Sequence, residues 1–200
     1  MNLEKTIQNL NKNGIFTAVA ETKEDVIKIF KSMAPKGSVV GNGGSVSVEQ
    51  CGLIDFVKNG DYDFVGRNVD ENTDYFLCSS NAVTENGEIY NVDGFCNRIS
   101  NIAQGPKNVV MVVGTNKIVA DLNQAIYRVK TVAAPKNCVR LNKDTPCAKA
   151  GRCISLLKEN PFMTDGCDSS DRICCSYLTT SVQRVKDRIK VIFVKEELGF

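Results

Sequence analysis

The sequence contains no histidine and no tryptophan. Without histidine, neither a Ser-His-Asp triad nor a Cys-His pair can form within the chain, and no metal can be bound through imidazole. A general base must therefore be Asp, Glu, Lys, Cys or Tyr. A site for a soft metal must be built mainly from thiolates.

Long apolar runs and dense runs of one charge are missing as well. No apolar segment approaches the roughly 18 residues of a membrane span, and the polar start, MNLEKTIQNLNKNG, lacks the apolar centre of a secretory signal. The 25 basic and 23 acidic residues give a net charge of +2, and no basic run is dense enough to follow nucleic-acid phosphates. We therefore expect a cytoplasmic protein with no membrane span and no nucleic-acid partner.

The pattern along the chain predicts one α/β domain. The 200 residues are 42% hydrophobic, which suits a single domain with its own core. Through residue 130, short β-branched segments alternate with amphipathic ones, so we predict a mainly parallel Rossmann-like sheet with helices on both faces. Residues 144–176 form a Cys-rich insertion within this domain, and a final pair of strands follows it.

Local signals predict three further elements. The Asn86-Gly87 pair lies between two extended runs and predicts a β-hairpin. A capping box from Ser47 to Gln50 predicts one helix that continues to Lys58. The segment IVADLNQAIYRVKTVA (residues 118–133) predicts an amphipathic helix.

The first candidate binding loop is glycine-rich and joins a strand to a helix. In open parallel sheets, ligands bind beyond the carboxyl ends of the strands. The loop comprises Gly41, Asn42, Gly43, Gly44 and Ser45. Its backbone and hydroxyl suit phosphate, pyrophosphate or carboxylate, although it matches neither the Walker pattern nor GxGxxG. The alternative is a tight turn that needs glycine for its backbone conformation.

A second loop, NVDGFCNR, brings Asp93, Gly94, Asn97 and Arg98 to the start of a helix. Asp93 suits the role of a base or a hydrogen-bond acceptor, and Arg98 can clamp a carboxylate or phosphate. The alternative is a helix cap with a surface salt bridge.

The third loop ends the most apolar strand and contains Asn116 and Lys117. A lysine in this position can meet an anion, although alone it is more often a solvated charge. Because the fold class predicts that the three loops converge, we assign Asp93, Arg98 and Lys117 as candidate catalytic groups and the other loop residues as ligand-binding ones.

The same segments resemble the LUD-domain family, which is named for lactate utilisation. The resemblance extends from GNGGSVSVEQCGLID through SSNAVTENGEIYNVDGFCNRISNIAQGPKNVVMVVGTNKIVADLNQAI and AAPKN to TPCAKAGRC and DRIC. It implies the fold of ribose-5-phosphate isomerase, glucosamine-6-phosphate deaminase and the CoA transferases. In that group a glycine-rich loop binds phosphate or a CoA-linked group and an Asp-Gly loop carries catalytic groups.

The resemblance also implies a function. It suggests an accessory component of lactate or organic-acid oxidation that binds a small anion and works with iron–sulfur redox partner proteins. The alternative is a stand-alone enzyme that acts on a phosphorylated or CoA-linked small molecule. Whether the chain is catalytic by itself is left open, because fold alone does not give function.

The Cys-rich insertion contains five of the 9 cysteines. Reduced thiols are expected in the cytoplasm, which argues against a disulfide framework. The spacing C-x5-C-x13-C-x6-C makes Cys147, Cys153, Cys167 and Cys174 candidate ligands of an iron–sulfur cluster or of zinc, with Cys175 a bystander. The spacing has neither the C-x2-C pairs of zinc ribbons nor the ferredoxin run. Thiol redox chemistry and simple packing of small side chains are the alternatives.

Overall fold

A computed structural model describes residues 1–200. The chain forms ten strands: β1 (Phe16–Ala20), β2 (Val39–Asn42), β3 (Asp63–Gly66), β4 (Tyr75–Cys78), β5 (Ala82–Thr84), β6 (Ile89–Asp93), β7 (Asn108–Gly114), β8 (Ile118–Val119), β9 (Ser176–Thr180) and β10 (Ile189–Val194).

Eight α-helices accompany the strands: α1 (Leu3–Lys12), α2 (Asp25–Met33), α3 (Val46–Gln50), α4 (Leu53–Asn59), α5 (Ile99–Ala103), α6 (Leu122–Arg128), α7 (Ala134–Arg140) and α8 (Pro146–Ala150). A π-helical segment, Val129–Ala133, joins α6 to α7, and short 3₁₀ turns occupy Thr115–Lys117 and Ile154–Leu157. None of these helices combines the length and hydrophobicity that crossing a bilayer would require.

The main sheet has six strands in the order β1-β10-β7-β4-β2-β3, and all its neighbours are parallel. Strand β7 lies near its centre, and its apolar residues are buried on both faces, as expected for a central parallel strand. A smaller sheet, in the order β8-β5-β6-β9, packs against one face of the main sheet. The predicted α/β class with a mainly parallel Rossmann-like sheet is confirmed.

Three buried clusters join these layers. On one face of the main sheet, Phe30 and Leu53 belong to the cluster beneath α2 and α4. On the other face, Phe76 and Met111 lie in a cluster shared with α1 and the small sheet. The outer side of the small sheet packs Tyr90 against α6 and the π segment.

The hairpin prediction is confirmed, because β5 and β6 pair antiparallel around Gly87, whose φ is 84°. The single helix from Ser47 to Lys58 is wrong. Gly52 adopts the left-handed conformation (φ 66°) and divides the segment into α3 and α4, while the cap of α3 is Ser45.

The last two strands form but do not pair with each other. Strand β9 joins the small sheet antiparallel to β6, whereas β10 inserts between β1 and β7. The helix predicted over residues 118–133 is wrong at both ends. Ile118–Val119 form β8 and α6 begins at Leu122, and helical structure continues past Pro135 into α7, because the wider π turn accommodates the missing proline N–H.

Candidate functional site

A cleft of about 350 Å³ opens beyond the carboxyl ends of the main-sheet strands. Each predicted loop contributes to its lining. The predicted residues that line it are Gly44, Ser45, Asp93, Gly94, Asn97, Arg98 and Lys117. The remaining four, Gly41, Asn42, Gly43 and Asn116, are not among the lining residues.

Lys117 lies at the bottom of this cleft with only 3% of its surface exposed. Its Nζ donates hydrogen bonds to Ser47 Oγ (2.8 Å) and Ser79 Oγ (3.1 Å), which occupy two of its three N–H groups. Burial lowers the pKa of Lys117 to about 7, and the positive charges of Arg128 and Arg98 contribute to this lowering. Near neutral pH, this amine can therefore act as a cation or give up its proton.

Asp93 and Arg98 form a buried ion pair on the opposite wall. The Asp93 carboxylate accepts hydrogen bonds from Arg98 Nε (3.0 Å) and from the backbone N–H groups of Arg98 and Ile99 (both 2.8 Å). The second contact of the pair joins Arg98 Nη2 to Asp93 Oδ1 at 2.9 Å. With both oxygens engaged, Asp93 is arranged to hold Arg98 and the start of α5 rather than to remove a proton.

The Arg98 guanidinium also ties three elements together. Its Nη1 donates to Ser79 O (2.9 Å), and its Nη2 donates to Asn81 Oδ1 (2.7 Å) and Val92 O (3.0 Å). These bonds leave one N–H of Nη1 without a protein partner in the structure. Arg98 can therefore offer a single, firmly oriented donor to a ligand.

Only the second half of the glycine-rich loop lines the cleft. A Cβ on Gly41 would overlap Val69 Cγ2, and one on Gly43 would lie 3.0 Å from Phe76 Cζ and 3.3 Å from Arg98 Cγ. These two glycines therefore allow close packing behind the wall. Gly44 faces open space, since a methyl group there would meet only Arg67 Nη2, at 3.8 Å.

The polar groups of the loop are partly engaged in holding its shape. Ser45 Oγ accepts the N–H of Val48 (3.3 Å) as the cap of α3, and Asn42 Nδ2 donates to Gly43 O (3.2 Å). Asn116 accepts the N–H of Leu198 (3.2 Å) and so fixes the chain beyond β10 to the end of β7. Asn42 and Asn116 thus support the cleft from outside its lining.

The lining carries more positive than negative charge. Its basic side chains are Arg67, Arg98, Lys117, Arg140 and Lys143, and its one acidic side chain is Asp93. Asp93 is already paired with Arg98, and Lys143 is paired with Asp171 at 3.1 Å. No carboxylate pairs with the buried ammonium of Lys117, so an anion in the cleft would be attracted to it.

Sequence reasoning missed four residues that shape the site. Ser47 and Ser79 accept hydrogen bonds from Lys117. Asn81 accepts a hydrogen bond from Arg98 through its side-chain oxygen. The fourth residue is Arg128, whose Nη1 donates a hydrogen bond to the carbonyl oxygen of Asn81 (2.7 Å). A signal is present, because Ser79 and Asn81 directly follow β4 in the sequence CSSN. The sequence pattern predicts that the fourth strand continues through residue 80, so it does not reveal this loop.

The four candidate ligand cysteines line a second cavity next to this cleft. They are Cys147, Cys153, Cys167 and Cys174. All 9 cysteines are free thiols, and no three His, Cys, Asp or Glu side chains are grouped to hold a metal ion. Cys175 is exposed and lies outside the cavity, while Cys138 contacts Cys147, with the two Sγ atoms 3.8 Å apart.

The fold and cleft define an α/β protein that has a cationic ligand cleft at the carboxyl edge of a parallel sheet. Comparison with known proteins makes this class more specific. The family model of the LUD domain matches residues 3–194. The chain belongs to the LUD-domain family.

A solved structure supports the same fold. It is the crystal structure of a DUF162 family protein from Deinococcus radiodurans at 1.70 Å resolution. The TM-score is 0.55 at 15% identity, and the alignment covers 96% of this chain and 95% of that chain. No curated protein matches this sequence.

Proposed function

We propose that this LUD-domain protein binds a small organic-acid anion in the cationic cleft and serves the oxidation of lactate or a related acid. The observation that carries the proposal is the buried Lys117 ammonium, which has no carboxylate partner. A carboxylate placed against Lys117 Nζ would supply the missing charge and accept the third N–H.

The surrounding groups suit a small carboxylate. Ser47 and Ser79 fix the direction of the Lys117 ammonium, and Arg98 is held by five contacts to its neighbours. Preorganised donors of this kind lose little freedom when a ligand binds. The free N–H of Arg98 would then orient a second oxygen of the acid, such as a hydroxyl.

Ligand binding is tested by thermal unfolding of the purified chain with lactate, pyruvate and related acids. A ligand at about 100 times its Kd should stabilise the fold by about 2.7 kcal/mol. Lys117→Met should reduce the shift to about half or less, whereas Lys149→Met, which removes an exposed lysine paired with Asp144, should retain it in full. Equal shifts in both variants would contradict a role for Lys117.

A second candidate function is a stand-alone enzyme on a phosphorylated or CoA-linked small molecule. The observation in its favour is the set of further basic side chains, Arg67, Arg140 and Lys143, on the cleft lining. Phosphate esters gain more from several cations than a single carboxylate does. Stabilisation by CoA or sugar phosphates, with none by simple acids, would favour this function.

We also propose that the chain works in the cytoplasm beside iron–sulfur redox proteins. Its 9 unpaired cysteines suit a reducing compartment. Leu157 and Phe162 of the Cys-rich segment are each 76% exposed and offer apolar surface to which a redox partner could dock. Co-purification from native cells, compared with a Leu157→Ser, Phe162→Ser double variant, tests this association.

A further inference from the structure

Four thiols from separate stretches of the Cys-rich segment line one small cavity. Cys147 lies on α8, Cys153 follows that helix, and Cys167 and Cys174 lie on the irregular chain that leads to β9. The cavity wall is mostly apolar and includes Tyr90. The free space between these side chains is about 20 Å³, which is room for little more than one water molecule.

The segment has no hydrophobic core of its own. Between residues 144 and 176, the buried apolar side chains are Cys147, Cys153 and Cys167. Its larger apolar side chains, such as Leu157 and Phe162, point outward. Short segments without a core are commonly held by disulfides or by a metal, and here the thiols are unpaired.

Two cationic side chains hold the backbone around the thiols. Lys130 Nζ donates to Ser155 Oγ (2.7 Å) and to Asp165 O (2.6 Å), so it joins both sides of the segment. Arg172 donates to the carbonyl oxygens of Cys174 (2.9 Å) and Cys167 (3.2 Å). These positive charges lie where a centre bound by four thiolates would place negative charge.

The π segment fixes Cys153 in a similar way. Pro135 has no N–H to give to the carbonyl of Lys130 five residues earlier. That carbonyl accepts the N–H of Cys153 instead, at 2.8 Å. The helix interruption therefore positions one of the four thiols.

We propose that these four cysteines bind an iron–sulfur cluster. On binding, four Fe–S bonds form to the cysteine sulfurs, and the four thiol protons are released to solvent. A cluster would lie between the four sulfurs and push the lining side chains apart, and Lys130 and Arg172 would offset its negative charge. This site is separate from the proposed anion cleft and does not depend on what binds there.

The arrangement of the sulfurs does not suit a single zinc ion. Tetrahedral zinc draws four sulfurs to about 2.3 Å from one ion, and therefore to about 3.8 Å from each other. The four cavity thiols surround a shared space and are not grouped around a single ion position. The sulfur contact of 3.8 Å in this region joins Cys147 to Cys138, and Cys138 does not line the cavity.

The cavity and the cleft share a wall. Val129, Ala134 and Cys174 line both. A cluster held by Cys174 would therefore lie one side chain away from an anion in the cleft.

The experiment is anaerobic purification of the full chain from iron-supplemented cells, followed by iron, sulfide and zinc analysis and by electron paramagnetic resonance after reduction with dithionite. We expect iron and acid-labile sulfide in equal amounts per chain, with visible absorption. Zinc without sulfide would overturn the proposal, and so would a colourless, metal-free chain.

Paired variants test the ligand set. Cys153→Ser and Cys167→Ser should each lower iron and sulfide per chain at least about tenfold, whereas Cys96→Ser and Cys175→Ser should leave both unchanged. Cluster content of the wild-type chain decides the question even where a variant fails to fold. Lys117→Met should keep the cluster, so a failure of anion binding is distinguishable from a failure of this proposal.

Discussion

Lys117 gives the sharpest test of the cleft, because its charge changes near neutral pH. With a pKa of about 7, the ammonium fraction falls from about 90% at pH 6 to about 10% at pH 8. Binding of a carboxylate that stays ionised across this range should therefore weaken about tenfold between the two pH values. Isothermal calorimetry or thermal unfolding at each pH measures the change.

The Lys117→Met variant removes the charge but keeps most of the side-chain volume. Hydrogen bonds to charged groups contribute about 1.5–3 kcal/mol, so affinity at pH 6 should fall about tenfold to a hundredfold. The pH dependence should flatten at the same time. Unchanged affinity, or an unchanged pH profile, would refute the assignment of Lys117 as the anion-binding cation.

The ligand-free protein should show the opposite slope. The folded pKa of Lys117 lies below the ordinary lysine value of 10.5, so between these values the unfolded chain binds more protons than the folded one. Lys117 should therefore contribute a rise in the free energy of unfolding between about pH 7 and about pH 10. This rise, measured by urea unfolding against Lys117→Met, should be absent from the variant. A parallel pair of curves would contradict the lowered pKa.

Three further predictions concern stability, and urea unfolding measures each. Gly41→Ala should destabilise the fold by about 1–3 kcal/mol, because the new methyl group overlaps Val69. Gly44→Ala should change the free energy of unfolding by less than about 0.5 kcal/mol. Equal effects of the two substitutions would contradict the close packing at Gly41. Arg98→Lys should cost at least about 2 kcal/mol, since buried acceptors lose their donors, and a neutral result would contradict its bridging role. Asn91→Leu should stabilise by about 1 kcal/mol, because both amide atoms of Asn91 are buried without partners; a loss would contradict that.

The sequence was sufficient to predict most of the strands and the loops that form the cleft, although β8 lies in a segment predicted to be helical. Strand β7 carries a continuous β-branched run, and the rule that ligands bind at the carboxyl edge of a parallel sheet then directs attention to Lys117. The environment of that lysine could not be predicted. Its two hydroxyl partners lie 70 and 38 residues away in the chain, and long-range pairing of this kind leaves no local pattern.

The role of Asp93 shows a second limit. An Asp-Gly pair before a helix suits a base, a cap or an ion-pair partner equally well. The structure engages both carboxylate oxygens with Arg98 and with two backbone N–H groups. Local sequence cannot distinguish these roles, because the outcome depends on where the guanidinium of Arg98 is held by β6 and by the loop that follows β4.

The π segment explains why helical structure continues past Pro135. Proline is expected to end a helix, and Pro135 would do so if the carbonyl of Lys130 had no other donor. The N–H of Cys153 supplies that donor, so the helix continues and its wider turn brings Val129 and Ala134 to the wall between the cleft and the thiol-lined cavity. Pro135 therefore links the two sites structurally. The carbonyl oxygen of Lys130, which Pro135 leaves without a helical donor, is bonded by the segment that carries the cysteines.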